Sequence, residues 1–227
     1  MTERESFLPF LVVLAIGVLI LLTGCNLTEN YSSEKVIIGT TESQHRNYLI
    51  VVNKEHPFDF DGNYAKGLEA DMVSFTQAIY GDTNQLEKAC YQAFCQLQIA
   101  LAEKNITVGI LSGYRSKEDQ EYLYNLDTST QTAPGYSEHH TGLNISLVVW
   151  SDLGEEGWAW ASEGGRIPEN PEITKLLPEF GFIRRYPEGK EESTGVSAKP
   201  YEIRYVGVSA AQEITRKGLS LEEYVSR

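Results

Sequence analysis

The sequence predicts an α+β fold, and three observations carry that prediction. One long apolar stripe recurs at helical spacing through Leu86, Cys90, Ala93, Phe94, Leu97 and Leu101. Several short β-branched and aromatic runs, "ITVGILSGY", "NISLVVW", "GFIRRYP" and "EIRYVGV", are bounded by turn residues and read as strands. Helical and strand patterns mix without the regular strand–helix–strand alternation that a doubly wound sheet requires.

The elements follow in chain order. "VIIGT" and "YLIVVN" read as strands or extended segments, and Asp61-Gly62-Asn63 marks a turn. The long stripe predicts a helix over 82–104, with Asp82 as cap, Gln85 three residues on, and Asn105 at its end. "SKEDQEYLYNL" predicts a second helix starting near Ser116. Beyond "NISLVVW", "EGWAWASEGG" predicts a short helix stopped by Gly164-Gly165, and "PEITKLLPEFGF" is helical to about Pro178. Two closing helices follow, the last capped by Ser220 with Glu223 in the third position.

The leading residues belong to targeting rather than to the fold. Residues 7–22 are apolar and uncharged, short for a membrane span of roughly 20 residues, and run into Leu22-Thr23-Gly24-Cys25. Small residues before a cysteine suit a secretory cleavage site. The stretch resembles a bacterial lipobox, which implies that Cys25 is lipidated; an uncleaved signal anchor is the alternative. Either places the remainder outside the cytoplasmic membrane and tethered to its outer face. We expect a signal over 1–25, a polar linker over 26–47 and one core domain over 48–227.

Charge excludes one class of partner. The chain carries 19 basic and 32 acidic residues, a formal charge of −13. A surface so acidic repels phosphates, so nucleic acid is not an expected ligand. Hydrophobic residues make up 41% of the chain, enough for a core and too many for disorder. Cys90 and Cys95, five apart in the predicted helix, point about 140° apart and read as buried free thiols.

Chemistry concentrates in "PGYSEHHTGLNISL", residues 134–147, which places His139 and His140 side by side. In order along the chain, "VNKEHPF", "SGYRS", "PGYSEHHTGL", "GFIRRYPEGKE" and "RYVG" resemble the VanY-type D-alanyl-D-alanine carboxypeptidases. The resemblance implies a compact zinc-peptidase domain, helices packed on a small, mainly antiparallel sheet. It also implies a substrate class, peptidoglycan stem peptides ending in D-alanine. In such enzymes three protein ligands hold zinc, a water fills the open position, and a carboxylate acts as base.

Carried over residue by residue, that site is altered. His139, after Ser137, matches the first ligand. The aspartate ligand due seven positions on is Ser146, in "LNISL" where the family reads like "LAVDI". The family's closing E-P-W-H is Lys199-Pro200-Tyr201-Glu202, so Lys199 stands at the base position and Glu202 at the third ligand position. A lysine ammonium cannot take a proton from water. Beside a dication about 4 Å away it costs roughly 8 kcal/mol at an effective dielectric of 20, a large part of the about 10–16 kcal/mol of a complete structural zinc site. We therefore predict no cofactor, zinc being required only if the chain is an active enzyme. Lys199 and Glu202 are expected to form an ion pair that takes the metal's place.

The resemblance also implies a binding side, with Arg115, Gln120, Tyr136 and Ser137 matching family positions. Arg115 suits a carboxylate because its planar fork matches that group's geometry. His45, His56, His140 and Asp152 are the available replacement ligands, and they read as structural, turn or surface residues. Trp158 and Trp160 suit a core or a sugar platform. Two functions stay open: a pseudoenzyme binding stem peptides or an envelope partner, and an active D,D- or L,D-carboxypeptidase with an atypical zinc site.

Overall fold

The computed structural model describes residues 47–76, 83–149 and 170–227. The leader, the linker, His45, Asp152, Trp158 and Trp160 lie outside these residues. Helix α1 (Asn63–Leu68) leads through a single 3-10 turn into a hairpin of β1 (Met72–Thr76) and β2 (Thr83–Glu87). Then come α2 (Lys88–Ala102), β3 (Val108–Ser112), α3 (Lys117–Leu126), a 3-10 turn (Glu138–Thr141) and β4 (Asn144–Val149). The last part holds α4 (Pro171–Leu176), β5 (Phe182–Tyr186), α5 (Glu191–Thr194), β6 (Lys199–Tyr205), α6 (Val208–Lys217) and α7 (Leu221–Val225). Among the described residues, no helix is long and apolar enough to cross a membrane.

The main sheet has the order β3-β4-β6-β5, and every pairing is antiparallel. Alternation along β5 shows how it is clothed on both faces. Phe182 enters the main core with Phe94, Leu97, Leu101, Ile145 and Ile203. Its neighbour Ile183 joins a second cluster with Ala211, Ile214 and Leu221 of the closing helices. The predicted stripe is buried, Leu86, Cys90, Leu97 and Leu101 all at 0% exposure, and Asn105 stops the chain in the left-handed region at φ 60°.

Two local predictions are corrected. Residues 83–87 form a strand paired with β1, not the first turns of the helix; Glu87 is the actual cap, its carboxylate accepting from the Cys90 N–H at 3.0 Å. Pairing with β1 overrides the local capping pattern of Asp82 and Gln85. Residues 48–53 alternate like a strand, Leu49 and Val51 facing one cluster and Ile50 and Val52 another, yet they join no sheet. Side chains claim their backbone instead. Arg204 donates to the carbonyls of Tyr48 and Ile50, and Glu138 accepts from the Val52 N–H.

The helix start near Ser116 and the cap at Ser220 are as predicted, and both serines form reciprocal capping boxes. Helix α2 is unbroken through Cys90 and Cys95, so these two are not joined to each other. Cys90 is a free buried thiol. Cys95 is disulfide-bonded, which corrects the expectation of two free thiols.

Candidate functional site

Strand register assembles the centre of the site. Ser146 on β4 pairs with Glu202 on β6, and on its other side with Ser112 on β3. His139 comes from the 3-10 turn just before β4 and is 5% exposed. Its Nδ1 lies 2.6 Å from the Gly113 carbonyl, so Nδ1 carries the proton and the bare Nε2 faces inward. Gly113 is fixed by contact: a Cβ there would meet Gln85 O at 2.6 Å and Asn84 Oδ1 at 2.7 Å. A side chain would push β3 away from β2 and move the carbonyl that aims His139.

The three positions assigned to ligands converge. His139 Nε2 lies 3.4 Å from Ser146 Oγ and 3.7 Å from Glu202 Oε2. Ser146 Oγ donates to Glu202 Oε1 at 2.9 Å. Asn144, which sequence reasoning did not single out, completes the cluster. Its Nδ2 donates to Glu202 Oε2 at 2.6 Å and lies 3.3 Å from His139 Nε2. The signal for it was present, as a carboxamide inside an otherwise apolar strand.

Electrostatics follow from burial and these partners. Burial pushes the Glu202 carboxyl up, but His139, protonated by the time this carboxyl titrates, with the Asn144 contact and the charge of Lys199, outweighs it and holds it at about 2. The same burial, helped by the Arg115 charge, pushes His139 below its ordinary value, with Glu202 and Gly113 pulling back. The resting state at neutral pH is an ionised carboxylate beside a neutral imidazole.

Lys199 does not make the predicted ion pair. Its register partner is Tyr186 on β5, and its Nζ stands over that ring, 5.7 Å from the centroid. Glu202 pairs across the other edge of β6, with β4, so strand pairing draws the two residues toward different neighbours. Lys199 acts on Glu202 only through its charge.

Arg115 has its fork set by two tethers: Nε donates to Ser112 Oγ at 3.0 Å and Nη1 to Gln120 Oε1 at 3.2 Å. Among the described residues, no hydrogen bond uses Nη2. Burial lowers the Arg115 pKa, and Glu202 and Asp119 offset part of that shift. Gln120 is fully buried, and its Nε2 donates to the Thr132 carbonyl at 2.7 Å. Both ends of its amide are engaged, so the predicted binding role of Gln120 becomes the positioning of Arg115. Ser137 is 5% exposed and caps the turn of His139. Tyr136 is 38% exposed, open to a ligand. His140 is structural: Nδ1 meets the Arg115 carbonyl at 2.8 Å and Nε2 accepts from the Gly135 N–H. His56 is exposed and bonded to Asn53.

A second buried cluster lies beside the first on the same face of the sheet, Arg204 being the register partner of Asn144. Glu138 bonds both Arg185 and Arg204, and Arg185 also bonds Glu222. Both arginines are 0% exposed. These residues are scattered from 138 to 222; Glu138, Arg185 and Arg204 fall within the motifs that carry the resemblance, but nothing in the sequence pattern joined them to one another.

Comparison with known proteins places this frame. The VanY family model, D-alanyl-D-alanine carboxypeptidase, matches residues 83–208, which is 126 of the 227 residues. The chain is 31% identical over 208 residues to a D-alanyl-D-alanine carboxypeptidase of Enterococcus faecium, covering 87% of this chain and 63% of that one. It is 36% identical over 137 residues to a D-alanyl-D-alanine carboxypeptidase of Enterococcus faecalis (strain ATCC 700802 / V583), covering 52% and 47%. This chain therefore spans less than two thirds of the length of either relative. Among solved structures it is similar to the D,D-dipeptidase VanXYg bound to a D-Ala-D-Ala phosphinate analogue, with TM-score 0.63, 26% identity, and 79% and 70% coverage. It is also similar to a D,D-pentapeptidase VanY solved with Zn(II), with TM-score 0.57, 28% identity, and 78% and 98% coverage.

Fold and neighbours define a zinc-carboxypeptidase type of frame, as predicted. The chain belongs to the VanY family of D-alanyl-D-alanine carboxypeptidases.

The donors present do not suit the family's zinc. Zinc in a catalytic site takes three protein ligands. Here one imidazole and one carboxylate converge, and the third position is a hydroxyl that donates its proton to that carboxylate. An amide N–H group is bonded where a cation would have to enter. Among the described residues no group of three His, Cys, Asp or Glu side chains could hold a metal.

Proposed function

We propose that this chain binds peptidoglycan stem peptides at their C-terminal end and does not cleave them. The observation that carries the reading is the joint state of Ser146, Lys199 and Glu202. The hydroxyl at one ligand position donates to the carboxylate at another, and the base position holds an ammonium over Tyr186. The recognition side is intact by contrast. Arg115 is held in a fixed orientation, and Tyr136 is exposed. A tethered guanidinium is well suited to a terminal carboxylate.

The neighbours' ligands support the substrate class. VanYB was solved with D-alanine-D-alanine, and the structure of the LD-carboxypeptidase LdcB addresses peptidoglycan recognition. Convergence of His139, Ser146 and Glu202 within 3.7 Å favours a second reading, an active D,D- or L,D-carboxypeptidase with an unusual metal site. Two measurements separate them. Residues 26–227, loaded with zinc and dialysed, are expected to retain none and to leave D-Ala-D-Ala-terminated muropeptides uncut. The same protein is expected to bind those muropeptides, with affinity falling about tenfold to a hundredfold in Arg115→Ala, the worth of a charge-assisted hydrogen bond. Stoichiometric zinc with release of D-alanine would establish the second reading, and equal affinity in both proteins would remove Arg115 as the anchor.

The site of action is part of the proposal. The lipobox-like Leu22-Thr23-Gly24-Cys25 supports a chain anchored through lipidated Cys25 to the outer face of the cytoplasmic membrane. Mass spectrometry of the membrane-extracted protein should find a diacylglyceryl group on Cys25. An unmodified Cys25 would overturn the anchor.

A further inference from the structure

We infer that Asn144 is the residue that keeps this centre closed to metal, its side-chain amide standing where a cation would bridge His139 and Glu202. The inference rests on the metal-independent reading above and assigns a residue to it. Two acceptors face each other across the site, the bare Nε2 of His139 and Oε2 of Glu202, 3.7 Å apart. Two like acceptors at that separation, both buried, require something electropositive between them. Ser146 does not supply it, because its one hydroxyl proton goes to the other oxygen, Oε1.

Asn144 Nδ2 does supply it. A primary amide nitrogen carries two N–H bonds. One reaches Glu202 Oε2 at 2.6 Å, and the nitrogen stands 3.3 Å from His139 Nε2, so a single group bridges both acceptors. The other end of the same amide shows what sets its orientation. Asn144 Oδ1 is buried and has no hydrogen-bond partner. A buried carbonyl without a partner is costly. Turning the amide over would aim Oδ1 at the carboxylate and the imidazole lone pair, three acceptors together, which is costlier still. The amide therefore leaves its oxygen unpaired in order to place its nitrogen.

Asn144 also explains why the centre works without Lys199 as partner. The ammonium lies over Tyr186, and a neutral amide from the adjacent strand does the local bridging. Placing Nδ2 there requires no charge to enter the buried site.

The test compares wild type with Asn144→Asp and Asn144→Ala, reading zinc affinity by calorimetry and stability by urea denaturation with and without zinc. Wild type is expected to show no zinc-dependent stability. Asn144→Asp exchanges the N–H bridge for a second carboxylate, making an imidazole and two carboxylates available. It is expected to be less stable than wild type without metal and to gain about a hundredfold in its folding equilibrium with zinc at a hundred times its Kd, reversed by chelator. Asn144→Ala removes the bridge without adding a ligand, and is expected to lose about ten- to hundredfold in folding equilibrium. In wild type, nitrogen NMR of His139 is expected to show the Nδ1–H tautomer, independent of any variant's folding. Zinc binding by wild type through His139 would sink both this inference and the non-catalytic reading. A zinc-free wild type with Asn144→Asp indifferent to zinc, Asn144→Ala as stable as wild type, or an Nε2–H tautomer would sink the role of Asn144 alone.

Discussion

Two buried polar clusters, a rear one around Glu138 and a front one around Glu202, sit side by side on one face of the main sheet and are satisfied by opposite means. They share a turn, Glu138 belonging to one and His139 to the other, and they share β4 and β6, where Asn144 pairs with Arg204 and Ser146 with Glu202. The rear cluster is made of full charges, with Glu138 and Glu222 against Arg185 and Arg204. The front cluster holds one ionised carboxylate, surrounded by an amide, a hydroxyl and a neutral imidazole. The rear cluster ties residues 48–52, the His139 turn, β5, β6 and α7 together. The front one has a charged fork, Arg115, tethered near it by Ser112 and Gln120. Charge balance fixes the scaffold, while neutral donors hold a pocket whose remaining cations are available to a ligand.

The largest effect should come from breaking the rear cluster. Glu138→Gln leaves Arg185 with Glu222 and deprives the buried Arg204 of its bonded carboxylate. Removing one member of a buried pair costs about 3–5 kcal/mol. The matching change in front, Glu202→Gln, is expected to cost about 1–3 kcal/mol, because its closest partners are neutral groups. Urea denaturation of the two variants checks the order. If Glu202→Gln were as damaging as Glu138→Gln, the distinction between the clusters would collapse.

The comparison explains what could be read in the sequence. His139, Ser146 and Glu202 were legible because motif order and spacing carried them, and they do meet. The helical stripe from Leu86 to Leu101 and the Ser220 cap were legible because both are local patterns. The Lys199–Glu202 pair was not, because sequence proximity says nothing of which neighbouring strand each residue faces. Nor was the strand over Thr83–Glu87, where pairing with β1 outweighs a sequence that looks like a helix start. The rear cluster was illegible for the same reason: Glu138 meets Arg204 and Arg185 only through the sheet. Asn144 was passed over because one carboxamide in a strand has no local meaning until its two acceptors are in place.

Acid should separate the clusters next. Both front groups titrate lower in the folded protein than in the unfolded chain. Their contribution is therefore complete above the unfolded values and is lost as pH falls toward the folded ones. His139 is lost first, below its ordinary 6.5. Glu202 follows, between the ordinary 4.5 and about 2. That second step amounts to about 3 kcal/mol. Denaturation from pH 7 to pH 3 should show less acid sensitivity in Glu202→Gln than in wild type, and His139→Gln should lose the step that begins below 6.5. Identical pH profiles for wild type and Glu202→Gln would mean that the carboxylate is not held as the geometry indicates.

The smallest effect concerns how the front cluster presents its cation. Arg115 is oriented by Ser112 at Nε and by Gln120 at Nη1. Gln120 is buried, and its amide is engaged at both ends, so it acts on a ligand only through Arg115. Gln120→Ala should cost about 1 kcal/mol of stability for a lost buried hydrogen bond. Muropeptide affinity should fall about fivefold, as the fork regains freedom it must surrender on binding. Arg115→Ala should lose more, and adding Gln120→Ala to it should lose nothing further, since the tether then has nothing to hold. Titrating all three variants against the same muropeptide decides the matter. Independent, additive losses would place Gln120 against the ligand itself, and the boundary between scaffold and pocket would move one residue outward.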